Sequence, residues 1–250
     1  MSSDSKSTVY LISGASRGIG LGFVAALAQR ENVVIFAGAR NPSTASQLQS
    51  LAKEYPSKVH VVKLTSCDKA DNEAAVAEVK RVAGKLDVVI ANAGISEAYG
   101  PVLEMSPEVM SRHYDVNVNG PLVLFQAAYP LLKESPAPKF IPVSSGAGSI
   151  TAGPDFPLQV VAYGASKAAL NYLAREIHVE HENLLCFPIG PGPVKTDMSA
   201  SAIDYSEGAK NFPWQTVDES VGRMLKVIDN ATRENEGGQF LKQDGGRYPW

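Results

Sequence analysis

The chain is short of cysteine, of excess charge and of long apolar runs, and each shortage removes a class of function. It has two cysteines, Cys67 and Cys186, too few for a disulfide framework. Neither stands at metal-ligand spacing with a histidine, so both read as small structural thiols and no metal site is expected. A net charge of −3 leaves no electrostatic footprint for nucleic acid, and no basic stripe stands out. No apolar run approaches the ~20 residues of a membrane-spanning helix. Residues 1–7 are polar, lack the hydrophobic centre of a secretion signal and read as a disordered lead-in. The expected location is the cytoplasm. What remains is an ordinary globular composition, 44% hydrophobic and 20% charged. The length allows one α/β domain over residues 8–250, burying roughly 70–75% of its unfolded surface.

Two patterns carry chemistry. Tyr163 and Lys167 stand four apart at the start of a helical run, residues 163–175, and so share a helical face. A free phenol titrates near 10. A fixed ammonium at ~4 Å, worth about 4 kcal/mol at an effective dielectric of ~20, favours the phenolate and tunes the pair toward general acid/base work. The second pattern is SGASRGIG, residues 13–20, set between a strand-like run at 8–12 and a helix-like run at 21–28. Strand, glycine turn and helix in that order make a cradle for a dinucleotide pyrophosphate. Gly14 permits the tight turn, Gly18 lets backbone approach the phosphates, and Gly20 lets helix pack on strand. The helix N-terminus adds N–H groups and a positive dipole end. The spacing is Gly-x3-Gly-x-Gly, and a glycine-rich connection without a ligand is the alternative.

Further strand-like runs fall at 33–37, 59–64, 86–91, 139–143, 183–187 and 239–241. Helix-period stretches lie at 71–82, 107–133 and 216–232. Strands that are apolar throughout and alternate with helices predict a parallel sheet covered on both faces. The expected fold is α/β: a single doubly wound, Rossmann-like domain with a mostly parallel seven-stranded sheet.

In this order the motifs resemble those of the short-chain dehydrogenase/reductase family over essentially the whole chain. Gly14, Gly18 and Gly20 resemble its glycine motif, and the same turn supplies Ser16, Arg17 and Ile19 as implied cofactor contacts. Asn92-Ala-Gly94 matches the family's Asn-Ala-Gly after the fourth strand, near the cofactor. Asn117, in VNVNG (116–120), aligns with the helix asparagine that holds a proton-relay water, with Asn119 as a rival. Ser145, three before Gly148, stands where the family has its catalytic serine, with Ser144 as the alternative. Thr196, in PGPVKTD (191–197), resembles the threonine that contacts the nicotinamide amide; the alternative is a plain loop hydroxyl. The resemblance implies hydride transfer between nicotinamide and a carbonyl carbon. Tyr163 would donate the proton, Ser145 position the oxygen, Lys167 hold the ribose and Asn117 feed the relay. Relatives of the family are often homodimers or homotetramers and some are monomers, so the resemblance leaves the assembly state open. Within the family the chain is similar to fungal aromatic-ketone reductases of polyketide pathways, such as norsolorinic acid ketoreductase, at residues 8–20, 125–127 and 238–250.

Charge selects the cofactor. A carboxylate ending the second strand would bind a ribose 2′-OH and repel a 2′-phosphate. Here the sequence is Gly38-Ala-Arg40, and Arg17 adds a second guanidinium, a group whose fork suits phosphate oxygens. NADP(H) is therefore expected, the alternative being two solvated arginines. Thr65 stands where the family has an aspartate near the adenine. The substrate is expected between residues 147–161 and a lid near 198–214 bearing Tyr205, Phe212 and Trp214. Aromatic lining suits a bulky, flat ketone; simple packing of the lid onto the body is the alternative. The expected function is an NADPH-dependent carbonyl reductase acting on a bulky aromatic or polycyclic ketone. The rival class is a catalytically inactive NADP(H)-binding sensor or scaffold of the same fold. Retention of Asn117, Ser145, Tyr163 and Lys167 together argues against that rival.

Overall fold

A computed structural model describes residues 7–250, so all of the expected lead-in except Ser7 lies outside the described residues. β1 (Thr8–Ile12) leads through α1 (Gly18–Ala28), β2 (Val33–Ala39), α2 (Ser46–Glu54), β3 (Val59–Lys63) and α3 (Lys69–Ala83) to β4 (Val88–Ala91). α4 (Pro107–Tyr114) and α5 (Gly120–Leu132) follow, joined by a π-helical turn, Asp115–Asn119. After β5 (Lys139–Pro142) come α6 (Val161–Glu180), β6 (Leu185–Cys186) and β7 (Ile189–Gly190). α7 (Asp197–Tyr205), α8 (Glu207–Lys210), α9 (Val217–Asn230) and β8 (Leu241–Lys242) complete the chain.

The main sheet is parallel throughout, in the order β3-β2-β1-β4-β5-β6. Side chains alternate across each strand, so β1 feeds two cores. Tyr10 and Ile12 pack with Phe23 and Leu27 of α1 and Met224 of α9. Val9 and Leu11 pack with Val79 of α3, Leu124 of α5 and Ile177 of α6. Helices thus cover both faces, as the apolar strands require. The strand order reverses between β1 and β4, and the crevice beyond the carboxyl ends at such a reversal is where doubly wound folds bind ligands.

The strand count differs from expectation, six in the main sheet and not seven. β8 pairs in parallel with β7 in a separate two-stranded sheet. Pro188 follows β6 and has no N–H to donate to a ladder. The chain resumes as β7, and Leu241 N–H bonds to the Pro188 carbonyl at 3.0 Å. β7 is only two residues long, too short for a periodic signal. The helical stretch 107–133 is likewise interrupted, at the turn that carries Asn117. Among the described residues no helix is long and apolar enough to cross a membrane.

Candidate active site

The glycine turn is held by close packing. Gly14 and Gly18 have φ of 65° and 56°, a region that a Cβ disfavours. A Cβ on Gly14 would lie 2.8 Å from Ala93 Cα, and one on Gly20 would strike the Gly14 carbonyl and lie 2.6 Å from Asn92 Nδ2. Asn92 braces the turn from the end of β4. Its backbone N–H donates to Ser13 Oγ at 3.0 Å, and its Nδ2 donates to the carbonyls of Ser13 (3.1 Å) and Gly14 (3.2 Å). Ser16 is half-buried within the turn, and Ile19 reaches the cleft described below. The two arginines differ. Arg17 Nη1 donates to Asp197 Oδ2 at 3.0 Å in an exposed ion pair, linking the glycine turn to the first residue of α7. Arg40, just after β2, is exposed and makes no ion pair among the described residues. The Thr65 carbonyl accepts from Asn72 Nδ2 at 2.9 Å, which fixes the loop into α3.

Ser144 and Ser145, neighbours in extended chain after β5, point apart. Ser144 is buried, and its Oγ donates to Asn171 Oδ1 at 2.5 Å. Ser145 opens to the cleft, and its Oγ accepts from Ala147 N–H at 3.2 Å. Of the two hydroxyls, only that of Ser145 is free to meet what enters the cleft. Lys167 is 4% exposed; its Nζ donates to the Val143 carbonyl at 2.9 Å and lies 5.6 Å from the Tyr163 ring centroid. Burial lowers its ammonium to about 8. Burial also pushes the Tyr163 phenol up to about 12, against a downward pull from the Ser145 hydroxyl, while the phenols of Tyr99 and Tyr248 add to the rise. In the cofactor-free protein desolvation outweighs the pull toward phenolate expected of Lys167, and Tyr163 stays protonated.

Asn117 is buried in the π-helical turn with its amide fully engaged. Oδ1 accepts from Ile95 N–H at 2.8 Å, and Nδ2 donates to the Ile95 carbonyl and to Ser166 Oγ, each at 2.9 Å. Ser166 Oγ in turn donates to the Tyr163 carbonyl at 2.7 Å. The side chain thus braces the Gly94 loop against α6. A Cβ on Gly94 would lie 3.1 Å from Asn117 Oδ1 and 3.5 Å from Lys167 Nζ, so the brace adjoins the lysine. The rival Asn119 bonds Asp115 at the surface, at 2.9 Å.

Above Ser145 and Tyr163 opens a cleft of about 170 Å³ walled by Phe156, Phe212 and Trp214. Tyr99 and Tyr248 also line it, and sequence reasoning missed both. Tyr99 lies just past the Asn-Ala-Gly motif, a position that could have marked it. Tyr248 comes from the tail and gives no local signal. Phe212 packs edge-on against Phe156 (6.1 Å between centroids) and lies 5.9 Å from Trp214, whose Nε1 donates to the Ala209 carbonyl at 2.7 Å. Tyr205 stands apart from the cleft lining. It stacks on Tyr99 at 5.4 Å, and its hydroxyl donates to Gln159 Oε1 at 3.1 Å. Thr196 lines the cleft and caps α7: its Oγ1 accepts from Ser199 N–H at 3.3 Å, while its own N–H donates to Ser199 Oγ at 2.9 Å. A larger depression of about 420 Å³, between α9 and residues 243–245, shares none of these groups.

The sequence model of the short chain dehydrogenases matches residues 8–206. The chain is 39% identical over 251 residues to the uncharacterized oxidoreductase C663.06c of Schizosaccharomyces pombe, covering 97% of this chain and 98% of that one. It is 39% identical over 255 residues to norsolorinic acid ketoreductase nor1 of Dothistroma septosporum, covering 99% and 94%. The NADPH-bound carbonyl reductase from chicken fatty liver has a similar structure, with a TM-score of 0.87 at 36% identity over 98% of this chain and 100% of that one. Likeness of this extent takes in the strands that carry the cleft as well as the cleft itself, and it places the chain among the oxidoreductases of the short-chain dehydrogenase family.

Proposed function

We propose that the chain is an NADPH-dependent carbonyl reductase for bulky, aromatic or polycyclic ketones. The observation that carries this is the Tyr163 phenol, its ring centroid 5.6 Å from Lys167 Nζ, lining an aromatic-walled cleft together with Ser145. The residues fit a dinucleotide: the tight turn through Gly14 and Gly18 delivers the N-terminus of α1, which no side chain caps, and no carboxylate ends β2, where Arg40 stands exposed. When bound, the cofactor supplies the hydride. Ser145 hydrogen-bonds the substrate carbonyl oxygen and orients it. Tyr163 releases its proton to that oxygen as the carbon is reduced, and the nearby Lys167 stabilises the phenolate left behind. Lys167, whose pKa burial lowers, would be held as an ammonium by the negative charge of a dinucleotide and would donate to ribose hydroxyls. Asn117 positions α6 through Ser166 and adjoins the lysine from which a proton relay would run. Gly14, Ser16, Gly18, Ile19, Gly20, Asn92 and Gly94 would shape the cofactor seat, Thr196 would meet its nicotinamide end, and Arg40, with Arg17 released from Asp197, would meet the 2′-phosphate. Residues 198–214 form the lid.

The NADPH-bound avian relative and the fungal ketoreductases support the cofactor and substrate readings. The test is NADPH and NADH consumption with a panel of ketones. Arg40→Ala should weaken NADPH roughly ten- to a hundred-fold, the worth of a charge-assisted contact, and NADH far less. Equal losses for both cofactors would give Arg40 a general structural role instead.

A further inference from the structure

Tyr248 is a cleft phenol that the chemistry above leaves unused. Tyr163 serves the reacting oxygen, and the Tyr99 hydroxyl reaches the carbonyls of Ser96 (3.4 Å) and Met198 (3.5 Å). Tyr248 Oη has no hydrogen-bond partner among the described residues, although the ring is fixed in place. Phe240, 1% exposed, packs on that ring at 4.7 Å, and Lys242 Nζ lies 5.2 Å from its centroid. The Tyr248 N–H donates to the Phe240 carbonyl at 2.9 Å. Two glycines admit the ring: a Cβ on Gly190 would lie 2.8 Å from Tyr248 Cε2 and 3.4 Å from its Oη. A Cβ on Gly146, beside Ser145, would lie 3.0 Å from Tyr248 Cε1. Burial and the Asp244 carboxylate raise its pKa, so the phenol keeps its proton. A rigid donor with no internal acceptor, opening into a cleft, is a donor to what enters that cleft.

We propose that Tyr248 determines specificity: its hydroxyl donates to a second oxygen of the substrate. The preferred substrates are then aromatic ketones that carry an ether, phenolic or second carbonyl oxygen near the one reduced. This rests on the carbonyl-reductase reading, which supplies the ketone at Ser145 and Tyr163. Removing the hydroxyl leaves the ring and its packing on Phe240 and Lys242, so Tyr248→Phe isolates the contact.

The experiment compares 1-tetralone with its methoxy positional isomers, in wild type and Tyr248→Phe, by kcat/KM with NADPH and by calorimetric binding to the NADPH-loaded protein. Thermal melting verifies that the variant is folded. At least one isomer should be favoured over 1-tetralone in the wild type, and Tyr248→Phe should reduce that preference roughly three- to ten-fold, the worth of one neutral hydrogen bond. A wild type without any such preference, or a variant that loses equally on every ketone, overturns the proposal. Binding preference without turnover would sink the reductase reading and leave the Tyr248 contact standing.

Discussion

The floor of the cleft and its roof are built from different interactions. On the floor, Lys167 is anchored to Val143, Asn117 to Ser166 and Ser144 to Asn171 by buried hydrogen bonds, and Asn117 to Ile95 by a part-buried one. The roof, from α7 to Trp214, rests on aromatic edges, on the Arg17–Asp197 pair, whose side chains are 73% and 74% exposed, and on exposed hydrogen bonds from the Tyr205 and Ser206 hydroxyls to Gln159 Oε1 (3.1 Å) and the Pro157 carbonyl (2.6 Å). Removing a partner from a buried bond leaves an unsatisfied group and costs about 1–3 kcal/mol. An exposed ion pair is worth at most about 1 kcal/mol. The floor therefore keeps one geometry, as proton transfer demands. Under the proposed function the roof is then the half that opens at low free energy to admit and release substrate.

The sharpest way to break this contrast is at the floor. Tyr163→Phe removes one oxygen from a ring that stays packed, so folding and NADPH binding should persist while turnover falls roughly 10²–10⁴-fold. Single-turnover rates on the folded variant check it. A near-normal rate would move the proton donor elsewhere.

A second floor test uses pH. In the cofactor-free protein burial lowers Lys167 from its ordinary value near 10.5 to about 8. Below about 8 the folded state bears the full penalty of a buried ammonium. Between about 8 and 10.5 the unfolded chain holds the proton more tightly than the folded one, so stability rises with pH over that window. Lys167→Met removes this titration. The melting temperature of the wild type should gain on that of Lys167→Met from pH 8 to pH 10, and a constant difference would show that the ammonium is not desolvated. The window stops there because Tyr163 acts oppositely: its raised phenol removes stability as pH climbs from about 10 to about 12.

The floor was also the more legible half of the site. Tyr163, Lys167 and the glycine turn announce themselves through spacing within single elements, and the sheet through runs of apolar residues. The choice between Ser144 and Ser145 needed coordinates, because a hydroxyl's direction depends on one residue of strand register. The electrostatics were only half legible for a related reason. Spacing places Lys167 near Tyr163 but says nothing of how deeply both are buried, and burial decides the shift. The roof was legible only in part. Its aromatics were visible, yet Tyr205 turned out to serve Tyr99 and Gln159 on the outside of the cleft. Tyr248 enters through β8, whose pairing with β7 depends on the break at Pro188 and has no local signature.

At the roof a smaller effect is expected, and it depends on the ligand. Trp214 lines the cleft, touches Phe212 and donates to the Ala209 carbonyl at the end of α8. Trp214→Ala withdraws contact area that only a large ligand reaches. At about 25 cal/mol per Å², losing roughly 50 Å² of apolar contact is about 1.3 kcal/mol, close to ten-fold in affinity. KM for large aromatic ketones should rise by up to about that factor and KM for small aliphatic ketones much less, with NADPH affinity little changed. Trp214→Phe separates two causes, since it keeps most of the ring area and loses the bond to Ala209. If it behaves like the wild type, ligand contact is what matters; if it behaves like Trp214→Ala, the anchoring of the roof is. A loss uniform across ketone size in Trp214→Ala would end the aromatic-pocket reading while leaving Ser145, Tyr163 and Lys167 in place, because nothing on the floor leans on this ring.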